Sequence, residues 1–307
     1  MVKALVLLSG GLDSILAAKI LQNQGIKVTA LSFRSYFFNS EAAKKAAQSL
    51  KMPLMVVDFS KEQLALVKNP KHGYGKTMNP CIDCHALMLK KAKGIMRKKG
   101  FDFVATGEVL GERPMSQNRK SLELVEKESS LKGYLLRPLS AKLLPETVSE
   151  KKGLVKRDLL FDISGRSRKK QMELAKLWGI KDYPSPAGGC LLTDIYFSQK
   201  LKELLAISPK LKPDDLELLR YGRHFTLGKA KIIIGRNEQE NNKIRELEGK
   251  GDIVIEMEKY PGPTALIKIY STGKIDSLII KKAEDFVRSY STKAKNQKDV
   301  RFVKLTK

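Results

Sequence analysis

The sequence predicts an α/β protein: a parallel sheet with helices on both faces, followed by a smaller α+β domain. Three observations lead there. Strand-like apolar runs alternate with helix-like segments over residues 2–107. A glycine-rich turn, Ser9-Gly10-Gly11-Leu12-Asp13-Ser14, closes the first run, and Gly107 closes the fourth. From about residue 196 the alternation stops, and strand-like pieces follow one another between Gly, Asn and Pro. The 307 residues, 42% of them hydrophobic, suffice for two domains with cores of their own. We place the first at 1–195 and the second at 196–307.

The elements follow in order. "VKALVLL" at 2–8 has no polar alternation beyond Lys3 and reads as a buried parallel strand. Residues 14–24 carry apolar side chains at helical spacing, and Gly25 is a helix stop. "KVTALSF" at 27–33 is the second strand, and "SEAAKKAAQSL" at 40–50 a helix with Ser40 as its cap. "LMVVDF" at 54–59 is the third strand, a helix covers about 82–99, and "FDFVATG" at 101–107 is the fourth strand. In the second domain "AKIIIGR", "GDIVIEME" and "PTALIKIY" are strands, and the polar 291–300 is loop. Trp178 is expected as a core anchor and His72 as a solvated loop residue.

Ligands on such sheets sit beyond the carboxyl ends of the strands, where both glycine turns lie. A strand, a glycine turn and a helix N-terminus together make an anion site, because backbone N–H groups converge and the helix dipole favours negative charge. Gly10 and Gly11 allow close approach of backbone to phosphate, and Ser9 and Ser14 add hydroxyls. Asp13, acceptor-only when ionised, either caps the helix or helps to hold a Mg²⁺ that bridges phosphates.

Charge is the strongest bulk signal: 58 Lys+Arg against 33 Asp+Glu, a net +25. Such an excess favours a polyanionic partner, and nucleic acid is the expectation. Aromatics are 7%, too few for a surface built on stacking single strands, so a folded RNA fits better. Lys90, Lys91 and Arg97 belong to an acid-free cluster that runs to Lys99, and Arg166, Arg168, Lys169 and Lys170 form a second. No apolar run approaches the roughly 20 residues that span a membrane. The short apolar start contains Lys3 and runs into a turn, unlike a signal peptide. A cytoplasmic protein without membrane partners is expected.

Three cysteines, Cys81, Cys84 and Cys190, are too few for a disulfide framework. Cys81-x-x-Cys84 opens a helix whose N-terminus, with nearby lysines, is expected to favour thiolates. Several chemistries suit such a trio: structural Zn²⁺ with His85 as fourth ligand, a thioredoxin-like dithiol, a persulfide carrier with a resolving partner, and a [4Fe–4S] cluster on three thiolates that leaves one iron open.

"SGGLDS" after an N-terminal strand resembles the PP-loop of the ATP pyrophosphatase superfamily. "VATGEVLGERPMSQN" at 104–118, with Thr106, Gly107, Glu108, Gly111, Ser116 and Gln117, is similar to the second nucleotide region of 4-thiouridine synthetases. "LRPLSAK" at 136–142 resembles a further stretch of the same enzymes. This resemblance covers roughly 1–195. It implies an ATP site at Ser9, Gly10, Gly11, Asp13, Ser14, Thr106 and Gly107, with Phe33 where the family contacts adenine. A C-x-x-C plus one distant cysteine in a PP-loop protein further resembles the cluster-dependent tRNA thiolation enzymes. That makes Asp13, Cys81, Cys84 and Cys190 the catalytic candidates and the three cysteines the metal ligands.

Residues 220–267 resemble the RNA-binding domain called NFACT-R, through Gly222-Arg223-His224-Phe225, Gly235-Arg236-Asn237 and Gly262-Pro263. Arg223 and Arg236 are the phosphate-contact candidates there, beside Lys90, Lys91 and Arg97 in the first domain. The resemblances together imply an ATP-dependent tRNA sulfurtransferase: a uridine carbonyl oxygen is adenylated and sulfur replaces it. The implied cofactors are ATP, Mg²⁺ and [4Fe–4S], with zinc or no metal as alternatives. The implied partners are tRNA and a sulfide or persulfide donor, and a homodimer stays open. A PP-loop amidating ligase and a non-catalytic RNA-binding metal protein are the alternatives in function. The 4-thiouridine synthetases carry a different RNA-binding domain ahead of the loop; this sequence starts at the loop, so the modified position stays open.

Overall fold

The computed structural model describes residues 1–184, 189–208, 210–271, 275–297 and 299–306. They divide into two compact units, Met1–Thr193 and Asp194–Lys307, a division just ahead of the boundary expected from the sequence. Strands of the first unit are β1 (Lys3–Leu7), β2 (Lys27–Arg34), β3 (Leu54–Asp58), β4 (Phe103–Ala105) and β5 (Leu135–Leu136). Its helices are α1 (Leu12–Asn23), α2 (Glu41–Ser49), α3 (Ser60–Lys68), α4 (Cys81–Lys99), α5 (Arg119–Glu128), α6 (Val148–Lys151) and α7 (Lys169–Leu177). The five strands are parallel in the order β3-β2-β1-β4-β5. Strand order therefore reverses beside β1, and a crevice opens there beyond the carboxyl ends of β1 and β4.

Both faces of this sheet are covered, which is why β1 is apolar throughout. Ala4 and Val6 pack with α1, α2 and α7 on one side. Leu5, one position out of phase, packs with Leu31, Phe59 and Leu89 on the other. Phe161 meets Trp178 edge-on, and Trp178 packs at the rim of the first cluster. Gly25 ends the α1 segment at φ +74° and Gly100 closes α4 at φ +66°, both in the left-handed region. Ser40 does not cap α2 with its side chain. Asn39 Oδ1 takes the Glu41 N–H instead, at 3.1 Å.

The second unit contains α8 (Ile195–Ile207), α9 (Pro213–Leu218), β6 (Arg223–Leu227), β7 (Ala230–Ile234), α10 (Glu238–Glu246), β8 (Ile253–Met257), β9 (Ala265–Ile269), α11 (Ser277–Ser289) and β10 (Phe302–Leu305). Its sheet runs β10-β8-β9-β7-β6, antiparallel throughout. One face packs on α11 through Ile232, Ile267 and Val287, and the other on α10 through Ile233, Leu266 and Ile244. Among the described residues no helix is long and apolar enough to cross a membrane.

Candidate active site

The turn after β1 is built from its own side chains. Gly10 sits at φ +85°, and a Cβ there would come within 2.3 Å of the Ala42 carbonyl carbon in α2. Its glycine is needed for helix packing as well as for conformation. Gly11, at φ −74°, has room for a Cβ and borders the cleft instead. Ser14 Oγ donates to the Gly11 carbonyl at 2.8 Å and accepts from the Ser9 N–H at 3.3 Å. Ser9 Oγ accepts from the Gly11 N–H at 3.3 Å. The two hydroxyls thus shape the turn from within.

A cleft of about 350 Å³ opens over this turn. Ser9, Gly11, Asp13 and Ser14 line it from β1–α1, Phe33 from β2, Thr106 and Gly107 after β4, and Cys190 from the far end of the unit. Of the eight residues expected to hold ATP, only Gly10 stays behind the wall. Gly107 is pressed against the first turn of α1: a Cβ on it would lie 2.4 Å from the Ser14 nitrogen.

Asp13 does not cap α1, whose N-cap is Gly11 with no side-chain bond. Its side chain is 21% exposed at the cleft, with Oδ1 buried and unbonded. Burial pushes its pKa above the usual carboxylate range, against the pull of the Arg168 guanidinium. An unbonded, desolvated carboxylate oxygen beside the anion turn is a donor that suits Mg²⁺.

Glu108, across the cleft, is its opposite. Arg137 Nε donates to Oε2 at 2.9 Å, Thr106 Oγ1 to the same oxygen at 3.0 Å, and His85 Nδ1 bonds Oε1 at 3.1 Å. Although burial alone would raise it, Arg137 and His85 bring this carboxyl down to about 2. His85 Nδ1 is therefore engaged with Glu108, which leaves Nε2 as its remaining ring nitrogen.

Cys81 is the first residue of α4 and Cys84 lies one turn later. Asn79 Nδ2 donates to Cys81 Sγ at 3.1 Å, and Gln63 Nε2 to Cys84 Sγ at 3.3 Å. All three cysteines are free. The thiols are close enough to act on one another: Cys81 and Cys190 both add to the upward shift at Cys84. The expectation of lowered thiol pKa values is corrected. Burial pushes Cys84 up to about 12 and Cys190 up to about 11. The lysines of α4 begin two turns away at Lys90, too far to compensate. No preformed metal-binding group of three or more His, Cys, Asp or Glu exists among the described residues.

His72 is also corrected: it is no solvated loop residue. Its Nδ1 lies 2.7 Å from Asp83 Oδ1 and its backbone N–H donates to Oδ2 at 3.0 Å, tying the 69–80 loop to the first turn of α4. Eleven residues of separation hide this pair from any sequence pattern.

The basic candidates separate. Nineteen residues make α4 about 28 Å long. Lys90 is exposed, Lys91 is paired with Glu62 at 2.6 Å, and exposed Arg97 is near the end remote from the cysteines. In the second unit exposed Arg223 lies over the Tyr290 ring at 4.5 Å. Half-exposed Arg236 is paired with Glu240 through Nε at 2.9 and 3.0 Å. His224 is half-buried, with Nε2 at 2.8 Å from the Tyr221 carbonyl, and desolvation of the ring drives it down to about 3. Arg168, Glu112 and Arg113 were not singled out for the nucleotide site by sequence. The only trace of Arg168 was its place in the second basic cluster.

Both units are similar to known proteins. Residues 1–143 match the family described as thiamine biosynthesis protein (ThiI), and residues 222–307 match the NFACT protein RNA binding domain. A tRNA-specific 2-thiouridylase, MnmA, of Karelsulcia muelleri is 29% identical over 223 residues, 66% of this chain and 54% of that protein. A probable tRNA sulfurtransferase of Moorella thermoacetica is 32% identical over 149 residues, 45% of this chain and 36% of that protein. The chain thus spans about half the length, or less, of these relatives. A 4-thiouridine synthetase solved with RNA and ATP aligns at 20% identity and a TM-score of 0.37, over 56% of this chain and 50% of that one.

Proposed function

We propose that this chain, whose residues 1–143 match the ThiI family and whose residues 222–307 match the NFACT protein RNA binding domain, is an ATP-dependent tRNA thiolase. The observation that carries the reading is that Cys190 and the Ser9–Ser14 turn line one cleft. Sulfur chemistry and nucleotide chemistry then share a space of about 350 Å³, small enough for one reacting base and a triphosphate.

The reaction balances without a redox step when the donor is sulfide. A uridine carbonyl oxygen bonds to the α-phosphorus of ATP, and pyrophosphate leaves with the electron pair of the bridging oxygen. The ring N3 proton is released. Hydrosulfide then bonds to the ring carbon and AMP leaves with the C–O electron pair. The sulfur-borne proton returns to N3, leaving C=S. With the Gly11 N–H already taken by Ser9 Oγ, the N–H groups of the first turn of α1 are the donors that would meet the charge developing on the phosphates. Asp13 is placed to hold a Mg²⁺, which would neutralise phosphate oxygens.

Cys81, Cys84 and Cys190 are the three thiols that would hold a [4Fe–4S] cluster, although they do not stand as a preformed metal group among the described residues, and Asn79 and Gln63 donate toward two of the sulfurs. Bound there, the cluster would supply an iron without a protein ligand, where hydrosulfide can be held. A thioredoxin-like or persulfide route needs a free thiolate at neutral pH, which burial of Cys84 and Cys190 opposes. Iron coordination removes the proton itself. The second unit, with exposed Arg223 and half-exposed Arg236, is proposed as the tRNA-holding module.

The test is direct. Anaerobically purified protein is incubated with ATP, sulfide and unmodified tRNA, and nucleosides are resolved by mass spectrometry. A thiouridine that requires ATP, with about four irons per chain lost in Cys81→Ala, Cys84→Ala and Cys190→Ala, is the expected result. Thiolation by iron-free protein would replace the cluster with the persulfide route. No thiolated nucleoside and no AMP release would overturn the function.

A further inference from the structure

Below the rim of the cleft the described residues leave a group of buried polar atoms without partners. Asp13 Oδ1, Arg168 Nε and Gln117 Oε1 are buried and unbonded. They come from three separate stretches: the first turn of α1, the segment before α5, and the residue that caps α7. Gln171 and Arg168 both act on the Asp13 carboxylate, as does Arg113. Buried polar groups are nearly always satisfied, so a convergence of unsatisfied ones calls for a ligand.

Arg168 is the centre of the group. Its guanidinium stands 4.0 Å from Asp13 Oδ2 and 3.9 Å from Glu112 Oε1. Both separations are too long for hydrogen bonds. Only 17% of its side chain is exposed, so water does little to solvate it. Burial also raises the Glu112 carboxyl, with Asp13 adding to the shift. Two desolvated carboxylates thus share one guanidinium and neither holds it closely. A planar fork of N–H donors fits phosphate oxygens bidentately. The turn that would take a nucleotide's phosphates begins at Asp13's own helix.

We propose that Arg168, aided by Arg113, forms a binding subsite for the β,γ-phosphates of ATP and for the departing pyrophosphate, and that Glu112 holds Arg168 in waiting until they arrive. Arg168 lies outside the ThiI-matched residues 1–143, just ahead of α7, whereas Arg113 and Glu112 lie within them. It rests on the adenylation reading above and adds a residue and a ligand end to it. Arg168 is then a catalytic residue in the strict sense, since it touches the leaving group. The negative charge gathered on pyrophosphate as the bond to the α-phosphorus breaks gains a fixed counter-charge.

Calorimetric titration of the full chain with magnesium pyrophosphate, ATP and AMP tests this. Arg168→Ala is expected to weaken pyrophosphate and ATP by about 10- to 100-fold while AMP, which lacks those phosphates, stays within about twofold. Arg168→Lys should recover part of the loss, since it restores charge without the fork. Glu112→Gln should move the other way and tighten pyrophosphate by about 2- to 5-fold, because the competing carboxylate is gone; a variant that merely disturbs the fold cannot do that. Unchanged pyrophosphate affinity in Arg168→Ala overturns the subsite, as does an equal loss for AMP. Wild-type protein that binds neither ATP nor pyrophosphate overturns the adenylation reading itself.

Discussion

Two carboxylates line the cleft, and the chain treats them in opposite ways. Glu108 has three side-chain partners and a depressed pKa near 2. Asp13 has an orphaned oxygen, a distant guanidinium and a raised pKa. The first is finished within the protein and the second is not. A satisfied network makes a wall rigid, whereas an unsatisfied group is a place where something else completes the bonding. The wall beside β4 is therefore complete within the protein, and the wall beside α1 keeps bonding capacity for a ligand.

That contrast can be broken by experiment, and the largest effect belongs to the scaffold. Arg137→Ala strands Glu108 as a buried charge and should cost about 3–5 kcal/mol in urea unfolding. A loss under about 1 kcal/mol would mean that Glu108 is not held as described. Acid should reveal the same network. With a folded pKa near 2 against an ordinary 4.5, ionised Glu108 contributes about 3 kcal/mol above pH 4.5, and that contribution drains away as pH falls toward 2. Wild type should lose its advantage over Glu108→Gln across that window, read from urea midpoints at each pH.

Asp13 should behave in reverse. Its folded pKa lies above the unfolded value, so its ionised form opposes folding at neutral pH, and the opposition fades as pH falls through the folded pKa. Asp13→Asn should leave the melting temperature unchanged or slightly higher at pH 8, yet reduce ATP–pyrophosphate exchange by about 100-fold or more. A destabilised, still active variant would invert the comparison. The smallest effect is expected in the second unit. Arg223→Ala removes a cation–π contact at an exposed site, worth about 0.5–1 kcal/mol of stability. It should lower the salt slope of tRNA binding by about one.

How much of this was legible in the sequence follows the range of the forces involved. The β1 turn was readable because glycine, serine and strand occur within ten residues, and the sheet followed from alternating patterns. Asn39 displaced Ser40 as the capping side chain, a choice between neighbours that local propensity does not settle. The His72–Asp83 pair and the Gln63–Cys84 contact join segments whose proximity only the fold creates. The thiols were misjudged for the same reason: a helix N-terminus shows in sequence, but the burial that overrides it does not. Arg168 looked like one cation among many until α7 was seen to bring it to Asp13.

Gly107 gives that arrangement a mechanical side. With Ser14's nitrogen 2.4 Å and Asp13's carbonyl oxygen 2.6 Å from where a methyl would sit, the end of β4 acts as a wedge under the first turn of α1. The anion turn and the segment that follows β4 must shift together or not at all, so even a single added carbon at 107 would tilt the cradle while the core beneath it stayed whole.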